Sequence, residues 1–135
     1  MLFLATLIVC GLIGARPISA DEENDEDIYN KIFDSVDVDE ILNNDRILDT
    51  YLKCFFNTGP CSNIAGSMKD KIPEVFETVC GLCTNKQKDI FKHSLDVFIP
   101  KRPKDWEHIL QIYDPNGAYE PKIMEFLKTW KIGSK

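Results

Sequence analysis

Five cysteines and two histidines are the strongest nucleophiles and metal ligands among these 135 residues, and their spacing limits the chemistry open to the chain. Cys54 and Cys61 bracket six residues, eighteen follow, and Cys80 and Cys83 bracket two. Four cysteines permit three pairings, which sequence alone leaves open. Locality favours Cys54 with Cys61 and Cys80 with Cys83, and loops that short contribute about 2–2.5 kcal/mol each. Cys80-Gly81-Leu82-Cys83 has the form of a redox pair, but such a pair normally opens a helix in an α/β domain, where the helix N-terminus lowers the thiol pKa. Here it follows a complete helical pattern with no strand nearby. A four-cysteine zinc site needs two converging knuckles, and one of these pairs is spread over six residues, so no metal site is expected. His93 and His108 fall on polar helix faces without an evident partner. Asp39 and Glu40 stand at a helix start, where acidic groups favour the helix dipole without any chemistry. No phosphate loop, zinc-protease motif or nucleophile elbow occurs. The chain is not expected to be an enzyme or to carry a cofactor.

The chemistry that remains is apolar binding, and it depends on the elements behind it. Residues 1–20 hold an apolar run from Leu2 to Ile13, with no acidic residue before Asp21. The run is too short to span a bilayer and small residues follow it, so it reads as a secretory signal, with cleavage after Ala20 favoured over Ala15. Losing Arg16 from the 16 basic residues leaves 15 against 22 acidic ones, a net charge of −7. Six of those acids crowd into residues 21–27, so 21–28 is expected to be a self-repelling, disordered leader. Nothing resembles the basic stripe that nucleic acid requires. An oxidising, extracellular setting suits the cysteines, no stable membrane insertion is expected, and no Asn-x-Ser/Thr acceptor is present.

From Asp37 onward apolar residues recur at helical spacing between short breakers. Asp37 with Glu40 resembles a capping box before Ile41 and Leu42. Asp45 can cap a second helix burying Ile47, Leu48, Tyr51, Leu52, Phe55 and Phe56. Ser62 can cap a third, with Ile64, Met68, Ile72, Val75, Phe76 and Val79 on one side and a bend at Pro73. The fourth covers about 86–99 and is closed by Pro100. The fifth carries Trp106, Ile109, Leu110 and Tyr113 to the turn Asp114-Pro115-Asn116-Gly117. A sixth follows Pro121 with Ile123, Met124, Phe126, Leu127 and Trp130. The fold class is all-α: six short amphipathic helices in one domain, 29–135.

The spacing C-x6-C-x18-C-x2-C resembles that of the insect chemosensory proteins, also called the olfactory-segment-D family. Around it stand Asp37-Val38-Asp39-Glu40-Ile41-Leu42, Asp45-Arg46, Tyr51, Gly59-Pro60-Cys61, Lys86-Gln87-Lys88, Trp106 and Tyr113-Asp114-Pro115, which match the family in type and order over roughly 29–119. Odorant-binding proteins of the usual kind carry six cysteines instead. The resemblance implies six helices around an apolar channel, two disulfides between neighbours, and binding of fatty-acid-like chains, long-chain alcohols, esters and other semiochemicals. Carried over by position, it makes Phe33, Val38, Tyr51, Ile64, Met68, Phe91 and Trp106 the lining candidates. Asp34 and Gln87 become candidates for the mouth or a polar contact. Phe33 and Ile123 stand where the family more often has Tyr, which makes the expected channel greasier. The segment 126–135 matches less clearly.

The expected partners are therefore small hydrophobic ligands, held by a monomer. The competing reading is a secreted interaction protein acting through its surface in development, immunity or saliva, with an unidentified receptor.

Overall fold

The computed structural model describes residues 24–133; the expected signal, 1–20, and residues 21–23 of the leader lie outside them. Seven helices and no strand occur among the described residues: α1 (Asp25–Asp34), α2 (Val38–Asn43), α3 (Asp45–Phe55), α4 (Asn63–Thr78), α5 (Asn85–Lys101), α6 (Pro103–Tyr113) and α7 (Glu120–Thr129).

One helix more than expected is present, and it begins inside the segment expected to be disordered. Asn24 Oδ1 accepts the Asp27 amide at 2.8 Å, and acids near the first turn favour the helix dipole instead of opposing the fold. What holds α1 is burial: Tyr29 and Ile32, three apart, are both buried. The Tyr29 hydroxyl donates to Glu74 of α4. Charge counting over 21–28 missed this because the apolar stripe starts only at Ile28.

The remaining differences lie at helix ends. Asp37 does cap α2, accepting from the amides of Asp39 and Glu40. Asn44, not Asp45, caps α3: its Oδ1 accepts the Arg46 and Ile47 amides at 3.1 and 3.2 Å. Its own N–H donates to Ile41 O, so one residue closes α2 and opens α3. Ser62 caps α4 as expected, and α4 runs through Pro73 as a single helix. Pro100 does not close α5, which continues to Lys101. That near the C-terminus a proline forgoes one hydrogen bond, and Arg102 N still donates to Phe98 O at 2.8 Å.

Both disulfides are local, Cys54–Cys61 and Cys80–Cys83. The first joins the end of α3 to the start of α4. The second follows α4 at a sharp reversal, where Val79 and Cys80 have φ of 51° and 57°. Such values are costly for a β-branched residue. The reversal is held by Cys80 N donating to Val75 O at 2.9 Å and by burial of Cys80. Gly81 is required there, since a Cβ would stand 2.9 Å from Thr78 O.

The main core gathers Leu42, Leu48, Leu52, Phe76, Phe98, Trp106, Ile109 and Ile123, and a smaller one Tyr29, Val75, Cys80, Cys83 and Phe91. Between α6 and α7 lies buried Asp114. Its carboxylate accepts the amides of Ala118, Tyr119 and Glu120 at 2.8–3.1 Å. The Asp114-Pro115 turn is thus a cap for α7.

Two substitutions check this reading. Asn44→Ala should lower unfolding free energy by about 1 kcal/mol, as loss of a helix cap does, whereas Asp45→Ala should leave the cap intact. Asp114→Ala strands three backbone donors and should cost about 2–3 kcal/mol. Urea titrations followed by helical circular dichroism measure both.

Candidate ligand cavity

Three helices carry the same apolar register. Leu48, Tyr51, Leu52 and Phe55 stand at i, i+3, i+4 and i+7 on α3. Met68, Lys71, Ile72 and Val75 do so on α4, and Phe91, Ser94, Leu95 and Phe98 on α5. This spacing lines one side of a helix, and all twelve residues face a common cavity of about 230 Å³. From α1 come Tyr29, Ile32 and Phe33, from α2 Val38, Ile41 and Leu42, and from α6 Trp106 and Ile109; Phe76 adds to the α4 wall. The cavity lies where the two cores meet.

Polar groups are few on this wall and mostly occupied. Ser94 Oγ donates to Ile90 O at 2.7 Å. The Tyr29 hydroxyl goes to Glu74. Burial, helped by the charge of Glu40, pushes the Tyr51 hydroxyl above its ordinary pKa, so it stays protonated. Rings make much of the surface: Phe76 lies 5.9 Å from Trp106, centroid to centroid, and is backed by Tyr113, off the wall, at 6.4 Å.

Of the residues carried over from the sequence, Phe33, Val38, Tyr51, Met68, Phe91 and Trp106 stand together on the cavity wall. Three do not. Ile64 lines a separate depression of about 490 Å³, which includes Lys31, Asp37, Glu40 and Asn63 and meets the cavity at Ile41 and Tyr51. That depression is larger, but its mixed polar lining gives an alkyl chain little reason to leave water. Asp34 is exposed at the end of α1 and borders neither space. Gln87 is 2% exposed and structural. It completes the capping box of α5 with Thr84 at 3.0 and 3.1 Å, and its Nε2 donates to Asn30 of α1 at 2.9 Å.

Sequence reasoning also passed over Lys71 and Tyr29. Lys71 was hidden by its charge, although it falls between Met68 and Val75 in the α4 register. The histidines, expected to lack partners, have them: His93 Nε2 lies 2.6 Å from Asp39 Oδ1, and His108 stacks on Phe56 at 4.0 Å. Neither borders the cavity. No cluster of three or more potential metal ligands occurs among the described residues, and no described helix is long and apolar enough to cross a membrane.

Comparison with known proteins places this geometry in a family. Residues 29–121 match the profile described as the insect pheromone-binding family, A10/OS-D. A Drosophila melanogaster protein named "Putative odorant-binding protein A10" is 42% identical over 104 residues, covering 74% of this chain and 64% of its own length. The chain thus spans a little under two thirds of that relative. Ejaculatory bulb-specific protein 3 of the same species is 31% identical over 119 residues, 88% of each chain. Among solved structures, a chemosensory protein in complex with bromo-dodecanol superposes with a TM-score of 0.64 at 28% identity, over 72% of this chain and 97% of that one.

A real void has a signature in stability. Val75→Leu adds one methylene at the wall; in a full core the extra volume costs about 1–3 kcal/mol, but here it should raise stability by up to about 0.8 kcal/mol. A lowered thermal midpoint would mean that the space is already filled.

Proposed function

The chain belongs to the insect pheromone-binding A10/OS-D family, and from that premise we propose that it is a secreted carrier of small hydrophobic ligands. The observation that carries this reading is the cavity itself: three matched helical stripes leave an apolar space unfilled in a bundle small enough to have packed solid. At about 230 Å³ it exceeds the roughly 150 Å³ apolar void that takes up benzene. It falls just below the roughly 300 Å³ at which drug-sized pockets begin. A slender alkyl chain suits it better than a fused ring system. Fatty-acid-like chains, long-chain alcohols and their esters are the fitting classes, and the bromo-dodecanol held by a structural relative is one such molecule.

Burying roughly 300 Å² of alkyl surface contributes about 7 kcal/mol at 25 cal/mol per Å². Immobilisation reduces this, which leaves affinities of micromolar order. Each methylene contributes alike, so ligands should be discriminated weakly along the chain. Export through the signal-like segment 1–20 fits two disulfides that need an oxidising compartment. Binding alone accounts for the site, and no catalytic step is assigned to it.

Trp106 reports on occupancy, because it forms part of the wall and is 5% exposed. Trp130 lies off the wall: its Nε1 donates to Asp89 at 2.8 Å and its ring stacks on Phe126. Phe126 in turn meets Phe91 at 5.7 Å, so Trp130 should feel a ligand only through that relay. Dodecanol should therefore quench or shift tryptophan emission saturably in the delipidated protein. Trp106→Phe should remove most of the response and Trp130→Phe little of it. Calorimetry that detects no uptake of alcohols or acids at any chain length would end the carrier reading.

A further inference from the structure

The apolar cavity and the depression of about 490 Å³ share two lining residues, Ile41 of α2 and Tyr51 of α3. Beyond that junction the lining is graded. Ile47, one turn before Tyr51, and Ile64 at the start of α4 are half-buried and continue an apolar surface. Lys31, Asp37, Glu40 and Asn63 are exposed and form a polar rim. The joined spaces therefore run from a hydrocarbon interior, past a half-buried neck, to water. An amphiphile has the same profile along its length.

Tyr51 stands at the neck with its ring edge-on to Phe55 at 6.2 Å. The hydroxyls of Tyr29 and Tyr113 donate to Glu74 and to Phe55 O, whereas that of Tyr51 is donated to no described residue. Every fully buried side-chain oxygen among the described residues has a partner, so the Tyr51 hydroxyl opens onto space that a ligand can enter. Burial and the charge of Glu40 disfavour a phenolate here, which keeps the group a donor. The same two causes act on any anion within hydrogen-bond reach of it. A carboxylate would accept a stronger bond from Tyr51 than a neutral oxygen does. It would also lose hydration and face Glu40 and Asp37, the second already capping α2. Lys31 is the one cation on this lining among the described residues, and it has another partner in the protein. An alcohol or ester oxygen accepts from Tyr51 without bringing a charge into that field.

Given the carrier role above, on which this rests, we propose that the depression is the head-group compartment of the ligand site and takes neutral oxygen-bearing heads in preference to carboxylates. The tail lies among the α3, α4 and α5 stripes, the chain passes Ile41 and Tyr51, and the head oxygen accepts the Tyr51 hydroxyl proton. Long-chain alcohols and esters are the class selected.

The test compares dodecanol with dodecanoate at pH 8 by calorimetry, in the disulfide-bonded protein and in Tyr51→Phe and Glu40→Gln variants. Phenylalanine keeps the ring in the wall and removes the hydroxyl; glutamine removes the nearby charge. Dodecanol should bind the parent about fivefold more tightly than dodecanoate. Tyr51→Phe should weaken dodecanol about fivefold with unchanged circular dichroism, and Glu40→Gln should tighten dodecanoate about threefold. Amide NMR of the parent reads the compartment directly, without a variant. Dodecanol should shift the amides of Asn63 and Ile64 along with those of the cavity wall. Dodecanoate binding as tightly as dodecanol, parent-like dodecanol binding by Tyr51→Phe, or shifts confined to the cavity wall each overturn the assignment and leave the carrier role standing. If the parent binds neither molecule, the carrier reading falls and this one with it.

Discussion

An apolar void inside so small a bundle is the constraint to which the rest of the structure answers. A space of about 230 Å³ between the helices forgoes packing contacts that a filled core would have. A domain of this size has about 5–15 kcal/mol in all. The core cannot supply the difference, because filling it would destroy the cavity. The two disulfides supply much of it from outside the wall. They stand at opposite ends of α4, and loops of separation seven and three contribute about 2 kcal/mol each. Covalent loops constrain the unfolded chain and need no interior volume, which is why they suit a hollow protein better than larger side chains would.

The same logic explains why polar groups that fix the bundle gather at helix junctions. Asn44 closes α2 and opens α3. Asp114 ends α6 and caps α7. At the α5–α6 junction Arg102 meets Asp49 at 2.9 Å, Asp105 at 3.0 Å and Asp45 at 3.4 Å, while Lys101 donates to Leu42 O. Asp49 and its neighbours push the Arg102 pKa higher still, and Lys101 followed by Arg102 holds the Asp45 carboxyl below its usual range. A carboxyl depressed in the folded state stabilises above its unfolded pKa and ceases to do so as pH falls through the folded one. The carboxylates of Asp45 and Asp49 are exposed, so water and salt keep the contribution small. They tie α3 to the α5–α6 junction from outside the cavity wall and leave the wall apolar.

How far the sequence could be read follows from what each signal depends on. The stripes on α3, α4 and α5 were legible because 3.6-residue periodicity is a local property, and the local cysteine pairs followed from short loops. The α3 cap was misassigned to Asp45 because Asn44 and Asp45 are adjacent and equally good caps; only backbone geometry separates them. Helix α1 was missed because its acidic start outweighed Tyr29 and Ile32, whose burial depends on α4 and α5 being in place. Of the seven lining candidates matched by position, six stand on the cavity wall and Ile64 does not. Gln87 caps α5 away from the wall, and an amide that caps a helix looks in sequence like one that contacts a ligand. Lys71 was passed over because a charge was read as solvent-facing, although its aliphatic stem occupies a wall position.

A cavity walled by stripes of Leu, Ile, Val and Phe measures how much hydrocarbon enters and little else. One methylene changes binding by less than about 1 kcal/mol, so neighbouring chain lengths differ only severalfold. Selectivity beyond that has to come from an atom the wall treats differently. The hydroxyls of Ser94 and Tyr29 are already donated within the protein. Phe33 brings another ring to the wall and no hydroxyl. The Tyr51 hydroxyl, kept protonated by burial, is the polar group of the wall that the fold has not committed in this way. The apolar interior governs how tightly a chain is held, and only the few polar atoms on its wall can distinguish the end group it carries.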